Sequence, residues 1–464
     1  MSGAAPHRFH PTILREYDIR GIVGETLFAA DARAIGLAFA TRIAQDGGTR
    51  IAVGRDGRLS SPELAAALIE GLLAAGMTVE DVGLGPTPML YYAAKARKTD
   101  GAIMVTGSHN PPSHNGFKMM RAGQPFFGPD IVELGRTAAA GVFAQGAGRR
   151  ETVEILESYV ERLAMDYDGA RPLSIVWDAG NGAAGAVLAE LVARLPGRHT
   201  LLFAEVDGRF PNHHPDPTEP DNLVDLQKAV AAEKADLGFA FDGDADRLGV
   251  VDGLGKILWG DQILLLLAED ILKDLPGATI IADVKASQAL FDGVAQLGGK
   301  PLMWKTGHSL IKTKMAETGA PLAGEMSGHL FLADRYFGFD DALYAAVRFA
   351  GLVARLPESL AQRHARMPKL VNTPEIRIPC AEDKKFAAIR AVKERLAAAG
   401  ATVDDTDGVR VMDDDGWWLL RASNTQAVLV ARAEAGDTAG LARLKARLAQ
   451  ELRQSGIAPP KELA

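Results

Sequence analysis

Short apolar runs, many of them β-branched and ending on Gly or Asp, alternate along the chain with longer Ala/Leu-rich stretches of helical spacing. Ile51-Ala-Val-Gly, Ile103-Met-Val, Ser174-Ile-Val-Trp, Leu237-Gly-Phe-Ala-Phe and Thr279-Ile-Ile-Ala read most clearly as strands. Between them, residues 61–75 (SPELAAALIEGLLAA) place Pro early and apolar residues at helical intervals, which predicts a helix. Residues 221–234 and 260–275 read the same way. Strand alternating with helix predicts α/β units built on parallel sheets.

A weak internal repeat lies over this rhythm. Residues 51–58, 175–182 and 280–287 are each an apolar strand running into a polar turn. Each is followed by a second strand and loop with unusual residues, at 105–112, 241–247 and 322–329. Three related α/β units account for the pattern. The texture changes after the Pro-punctuated stretch 356–379. Strands are expected at 375–378, 416–420 and 427–431, and helices at 384–399 and from 439 onward, giving a fourth, α+β unit.

Composition narrows the classes. The 464 residues are 47% hydrophobic and 24% charged, which suits globular domains and excludes disorder for most of the chain. Length alone suggests about three domains, one fewer than the patterning. With 51 basic against 59 acidic side chains the net charge is −8, which argues against a dedicated nucleic-acid binder. Cys380 is the lone cysteine, so no internal disulfide framework is possible. The first twenty residues hold no apolar signal core, and the longest strongly apolar run covers only 263–268. A soluble, cytoplasmic protein without a membrane segment is expected.

Four loops carry candidate chemistry. Asp242-Gly-Asp-Ala-Asp-Arg247 lies between two apolar runs and is expected as a tight turn between strands. Like charges 4 Å apart repel by about 4 kcal/mol near a protein surface, so three clustered carboxylates call for a cation, and hard oxygens suit Mg²⁺. A solvated acidic turn is the plain alternative. An EF-hand is excluded because Arg247 and Gly253 stand where Gly and Glu are needed. An aspartyl phosphatase with Asp242 as nucleophile stays open as a minor alternative.

Thr106-Gly-Ser-His-Asn-Pro-Pro112 presents Ser108 on a loop that two prolines stiffen, suited to offering a hydroxyl to phosphorus. Asn110 takes the place of the second Gly of a nucleophile elbow, so acyl chemistry is unsupported. Gly324-Glu-Met-Ser-Gly-His329 groups a carboxylate, a hydroxyl and an imidazole able to bond a polyol. Arg421-Ala-Ser-Asn-Thr425 has the composition of an anion site, with Arg421 as a bidentate fork. Each of these three, taken singly, is as readily structural. Together the four specify phosphoryl transfer on a sugar phosphate.

These loops, in this order and spacing, resemble the α-D-phosphohexomutase superfamily, in its bacterial phosphomannomutase/phosphoglucomutase branch. Glu16-Tyr-Asp-Ile-Arg20-Gly, Asn115-Gly-Phe-Lys118, Phe210-Pro-Asn-His-His-Pro-Asp-Pro217 and Lys305-Thr-Gly-His308-Ser extend the resemblance over almost the whole chain. It implies four domains around a central cleft, the first three of related α/β topology and the fourth α+β. The units are drawn at 1–153, 154–256, 257–368 and 369–464.

The resemblance also implies roles. Ser108 would be a phosphoserine, sharing Mg²⁺ with Asp242, Asp244 and Asp246. It would pass its phosphoryl group between the 1- and 6-positions of mannose and glucose phosphates through a hexose 1,6-bisphosphate. Lys118 and His329 would move protons, and Arg247 would stabilise the transferring charge. Glu325, Met326, Ser327, Gly328 and His329 would meet the sugar. Arg421, Ala422, Ser423, Asn424 and Thr425 would clamp the idle phosphate, while Tyr17, Arg20, Lys285 and His308 would line the cleft.

Phosphoglucosamine mutase is the rival substrate class, disfavoured by Met326 where those relatives tend to carry Gln. A monomer with no nucleic-acid partner is expected. One departure stands out: Gln426-Ala427 follow Thr425 where relatives often place Pro, so altered rigidity of that loop is expected.

Overall fold

The computed structural model describes residues 5–463. Four sheets organise them. The first runs in the order Ile19–Ile22, His114–Arg121, Gly101–Val105, Arg50–Arg55, Thr78–Leu84, Arg149–Thr152, with Gln124–Pro125 beside His114–Arg121. The second runs Ile257–Leu258, Leu248–Asp252, Leu237–Phe241, Leu173–Asp178, Gly197–Leu202. The third runs Lys300–Trp304, Thr279–Asp283, Leu322–Gly324, Leu330–Leu332. Each predicted strand is therefore present.

The repeat is structural. In each of these sheets two parallel strands lie side by side: Arg50–Arg55 with Gly101–Val105, Leu173–Asp178 with Leu237–Phe241, and Thr279–Asp283 with Leu322–Gly324. The second of each pair turns through a short loop into an antiparallel neighbour: His114–Arg121, Leu248–Asp252 and Leu330–Leu332. Those three loops leave the carboxyl ends of parallel strands, where α/β sheets present their ligands. They are the loops of Ser108, of the three aspartates and of His329.

The fourth sheet is antiparallel: Val371–Asn372, Val428–Ala435, Gly416–Ala422, Val409–Asp413 and Val403–Asp404, with Ile376–Pro379 also on Val428–Ala435. Helices Glu382–Ala398 and Thr438–Gln454 cover it, which is the predicted α+β texture. One core, with Trp177, Phe239, Leu264 and Phe349, runs through the second and third sheets and reaches Tyr91 of the first domain. The helix Ala342–Arg355 is buried along all but its last residue and joins these units. Among the described residues no helix is long and apolar enough to cross a membrane.

Two details differ from the pattern reading. The helix expected from 221 starts as a 3₁₀ turn at Pro220–Leu223 and becomes α-helical at Val224–Glu233. Inside that turn the Asn222 side chain donates to the Asp216 carbonyl (2.9 Å), as short polar side chains do near helix starts. The strand Ile257–Leu258 pairs with Val250 and Val251. It therefore lies with the second sheet, two residues beyond the division drawn at 256.

Candidate active site

Ser108 sits on a loop with φ at +49°, a left-handed conformation costly for a residue with a Cβ. Its amide donates to Thr106 Oγ1 (2.9 Å) and its Oγ donates to Asp242 Oδ2 (2.8 Å). His109 Nδ1 lies 3.2 Å from the same Oγ. Burial, with Arg247 and Arg20 nearby, pushes the His109 imidazole well below its usual pKa, so it faces the serine neutral. The aspartate loop must come close for this to happen. A Cβ at Gly243 would lie 2.3 Å from the Ser108 carbonyl oxygen, so only glycine fits between Asp242 and Asp244.

Asp242, Asp244 and Asp246 are fully buried, and one ligand oxygen from each falls within 4.8 Å of the others. Burial, then Asp246 and Asp244, push the Asp242 carboxyl well above its usual pKa. Lys118 supplies part of the missing charge, donating to Asp244 Oδ2 at 2.7 Å and to Asp246. Its own charge survives burial because those carboxylates outweigh the cost of desolvation. Asp244 Oδ1 is buried yet accepts no hydrogen bond, and Asp246 Oδ1 has His329 Nε2 only at 3.3 Å. A buried oxygen without a donor is costly, and an oxygen-seeking divalent cation satisfies it without displacing the lysine. The loop therefore fits a metal ion.

His329 connects this centre to the sugar-type loop. Its Nε2 is 3.3 Å from Asp246 Oδ1 and its Nδ1 2.9 Å from Glu325 Oε2. Burial opposes its charge, but Asp246 and Glu325 outweigh that and lift the imidazole to about 9. Glu325, despite burial, is held at about 2 by His329. Its Oε1 accepts the Gly307 amide (2.7 Å), which ties in the neighbouring loop. His308 stacks on His329 with centroids 5.6 Å apart and pairs with Asp340 at 3.2 Å. Ser327 Oγ is 3.1 Å from His329 Nδ1. Gly328, at φ +91°, lets the loop pass where a Cβ would meet the Leu248 carbonyl at 2.7 Å.

The fourth domain closes the arrangement. Arg421 donates its Nε to Asp407 Oδ2 (2.9 Å), and the same carboxylate accepts the Thr306 amide (3.0 Å). Asn424 Nδ2 donates to Tyr17 Oη (2.6 Å), and Tyr17 donates to the Thr306 carbonyl (2.9 Å). Ser423 Oγ accepts the amides of Thr425 (3.3 Å) and Gln426 (3.2 Å), while Arg15 bonds the Thr425 carbonyl. Lys385, buried, donates to the carbonyls of Ser423 (2.6 Å) and Gln426 (3.1 Å). A lysine thus ties the loop in which proline is missing. Ala422 packs its side chain into the fourth core. Arg20 donates to Asn110 Oδ1 (3.0 Å) at the edge of the Ser108 loop.

Lys285 bonds Glu375 Oε2 at 3.0 Å, joining the third and fourth domains. Lys285, working against partial burial and helped by Arg377, holds Glu375 at about 2, below the usual 4.5. The pair's stability is complete above pH 4.5 and is lost as pH falls toward 2. With a fifth of the Glu375 side chain open to solvent, up to about 2 kcal/mol is expected. Urea melts of the protein and of Glu375→Gln should converge as pH falls from 5 to 3; parallel curves would contradict this.

The candidate residues thus form one connected set from Tyr17 to Thr425. Met326 is the exception in emphasis: its amide donates to Asp283 Oδ1 (3.1 Å) but its sulfur packs on Arg432 of the fourth domain. Several participants carry no local sequence signal. Thr87 donates its amide to the Asp244 carbonyl (2.9 Å) and its hydroxyl to the Asp244 carboxylate, across 157 positions. Asp407 and Glu375 are equally silent. Asp340 had a usable sign, the Asp340-Asp341 doublet ahead of a buried helix, of which Asp341 caps the helix and Asp340 pairs with Lys312 (2.8 Å).

Comparison with known proteins gives the family. Residues 11–141, 156–255 and 259–370 match the phosphoglucomutase/phosphomannomutase alpha/beta/alpha domains I, II and III, and 375–451 match the C-terminal domain of the same family. A phosphomannomutase/phosphoglucomutase of Pseudomonas aeruginosa is 46% identical over 453 residues, 98% of each chain. A phosphoglucomutase of Neisseria gonorrhoeae is 44% identical over 94% of this chain and 95% of its own. The crystal structure of a phosphoglucomutase/phosphomannomutase family protein from Burkholderia thailandensis superposes with a TM-score of 0.92 at 45% identity, covering 97% of this chain and 98% of that one. With four matched domains in order and full-length relatives at this identity, the chain belongs to the phosphoglucomutase/phosphomannomutase family.

Proposed function

We propose that this protein is a hexose phosphate mutase that moves a phosphoryl group between the 1- and 6-positions of mannose and glucose phosphates. Ser108 is the carrier. The observation that bears most weight is the 2.8 Å bond from its Oγ to Asp242, which sets a strained, presented hydroxyl against three buried carboxylates. In one half-reaction the bond from phosphorus to Ser108 Oγ breaks as phosphorus bonds the free sugar hydroxyl, giving a hexose 1,6-bisphosphate. After the sugar turns end for end, its other phosphoryl group returns to Ser108, and the hydroxyl proton is restored.

Asp242, Asp244 and Asp246, with an oxygen of phosphorylated Ser108, fit Mg²⁺, which when bound offsets charge on the transferring group. Arg247 adds positive charge beside it. Lys118 and His329, both bonded to this centre, are the groups placed to exchange a proton with the sugar oxygen. Glu325 and Ser327 face the sugar, and Arg421, Ser423, Asn424 and Thr425 hold the idle phosphate, with Tyr17, Arg20, Lys285 and His308 completing the walls. On this reading the enzyme acts as a monomer, in the cytoplasm where sugar phosphates are exchanged.

The aspartyl-phosphatase alternative is the weaker reading. Asp242 Oδ1 already accepts the amides of Asp246 (3.0 Å) and Arg247 (3.2 Å), and Oδ2 holds the Ser108 hydroxyl at 2.8 Å, so a second nucleophile candidate stands directly beside it. A phosphatase would release inorganic phosphate and leave Ser108 unmodified. The sugar itself is tested by parallel turnover of glucose, mannose and glucosamine 1-phosphates with trace bisphosphate and Mg²⁺. Glucose and mannose should be the better substrates; glucosamine phosphate exceeding both would overturn that choice.

The clamp makes its own prediction. Arg421 spends Nε on Asp407 and keeps its two terminal nitrogens for phosphate. Arg421→Lys should raise KM about tenfold, with kcat changed only a few-fold, because lysine cannot offer the fork. An unchanged KM would remove Arg421 from the phosphate site.

A further inference from the structure

Arg58 lies in the polar turn after Arg50–Arg55, and its side chain is fully buried. It gathers the backbone of the Ser108 loop from below. Nη2 donates to the carbonyls of Ser108 (2.7 Å) and Asn110 (2.6 Å), and Nη1 to those of Pro111 (2.7 Å) and His114 (3.0 Å). The four terminal hydrogens thus meet four carbonyls that converge on one point.

Asp56 completes the support. Its Oδ2 is 3.2 Å from Arg58 Nε and accepts the Gly107 amide (3.2 Å), and its Oδ1 accepts the Arg58 amide (3.0 Å). Fit is tight at the guanidinium and at the backbone that carries it. A Cβ at Gly107 would come within 2.4 Å of Arg58 Nε, and one at Gly208 within 2.6 Å of Arg58 Cα. The Phe210 ring of the second domain lies 5.2 Å from Arg58 Cζ. None of these contacts is to a residue assigned to the sugar or to the idle phosphate.

We propose that Arg58, braced by Asp56, is the positioning residue that holds Ser108 in its left-handed, Asp242-facing pose and so sets the rate of phosphoryl transfer without contributing to substrate binding. This rests on Ser108 being the phosphoryl carrier. A planar fork reaches four separated carbonyls; a lysine ammonium has three hydrogens on one point, and a methionine has none. Loss of the fork frees the loop to leave a pose that its backbone does not favour by itself.

The test compares wild type, Arg58→Met and Arg58→Lys for turnover of glucose 1-phosphate, with phosphorylation of Ser108 by hexose 1,6-bisphosphate followed by intact mass. In Arg58→Met, kcat should fall about 10²-fold, as misplacement of a reacting group by about 1 Å does. The rate of Ser108 phosphorylation should fall with it, KM should stay within about threefold, and Arg58→Lys should regain part of the loss. Arg58→Lys keeps the charge beside Asp56, so it carries the same kcat-against-KM comparison should the methionine variant not fold. A kcat near the wild-type value in either folded variant, or a KM that rises as kcat falls, overturns the proposal. Wild-type turnover separates the two ideas. An inactive wild type removes the carrier role of Ser108, whereas an active wild type matched by its Arg58 variants removes only the role of Arg58.

Discussion

Replacing Ser108 by alanine is expected to lower hexose phosphate turnover by about 10⁴-fold or more, the scale seen when a nucleophile is removed from a unit that works as a whole. The substitution deletes one oxygen and leaves the fold intact, since the loop is held through the Ser108 amide and carbonyl rather than its hydroxyl. Asp242 Oδ2 loses the donor that its carboxylate takes from the first domain. Intact mass of the wild type after treatment with hexose bisphosphate should show one added phosphoryl group that the variant never gains. Thermal melts should agree within a few degrees. Substantial turnover by Ser108→Ala would move the carrier role elsewhere.

Asp242→Asn is expected to separate metal binding from folding. In the metal-free chain Asp242 carries charge at a cost, because burial and its two neighbours disfavour it. Asparagine keeps the carbonyl oxygen that accepts the Asp246 and Arg247 amides and removes the repulsion. Without Mg²⁺ the variant should therefore be as stable as the wild type or more so. With Mg²⁺ at about a hundred times its dissociation constant, the wild type gains about 2.7 kcal/mol and its melting point rises, while the variant should barely respond. Turnover should drop about 10³-fold. Melts with and without Mg²⁺ read both effects, and an undiminished Mg²⁺ shift in Asp242→Asn would exclude the loop as the metal site.

Much of this was legible where chemistry and chain position coincide. Leu237–Phe241 and Thr279–Asp283 are buried along nearly their whole length and read as strands because a sheet covered on both faces needs continuous apolar runs. The spacing of Asp242, Asp244 and Asp246 declares a metal loop because three carboxylates so close have few other stable uses. Illegible parts depend on partners far along the chain. Thr87 grips Asp244 and Tyr17 meets Asn424 only because sheets from different domains share one cleft, which no local period encodes. Arg58 reads as part of an ordinary polar turn until the fold closes over it. The missing proline at Gln426-Ala427 suggested altered rigidity, yet Lys385, thirty-eight positions from Ser423, ties that turn.

The central claim is that Ser108 lends its phosphoryl group to the sugar and takes another back. The direct measurement is a single turnover of protein carrying radiolabelled phosphate on Ser108, mixed with unlabelled glucose 1-phosphate. Label should pass through hexose bisphosphate into the 6-phosphate of the product, with the protein left phosphorylated by unlabelled phosphate. Label released as inorganic phosphate, or retained on the protein while product forms, would contradict it.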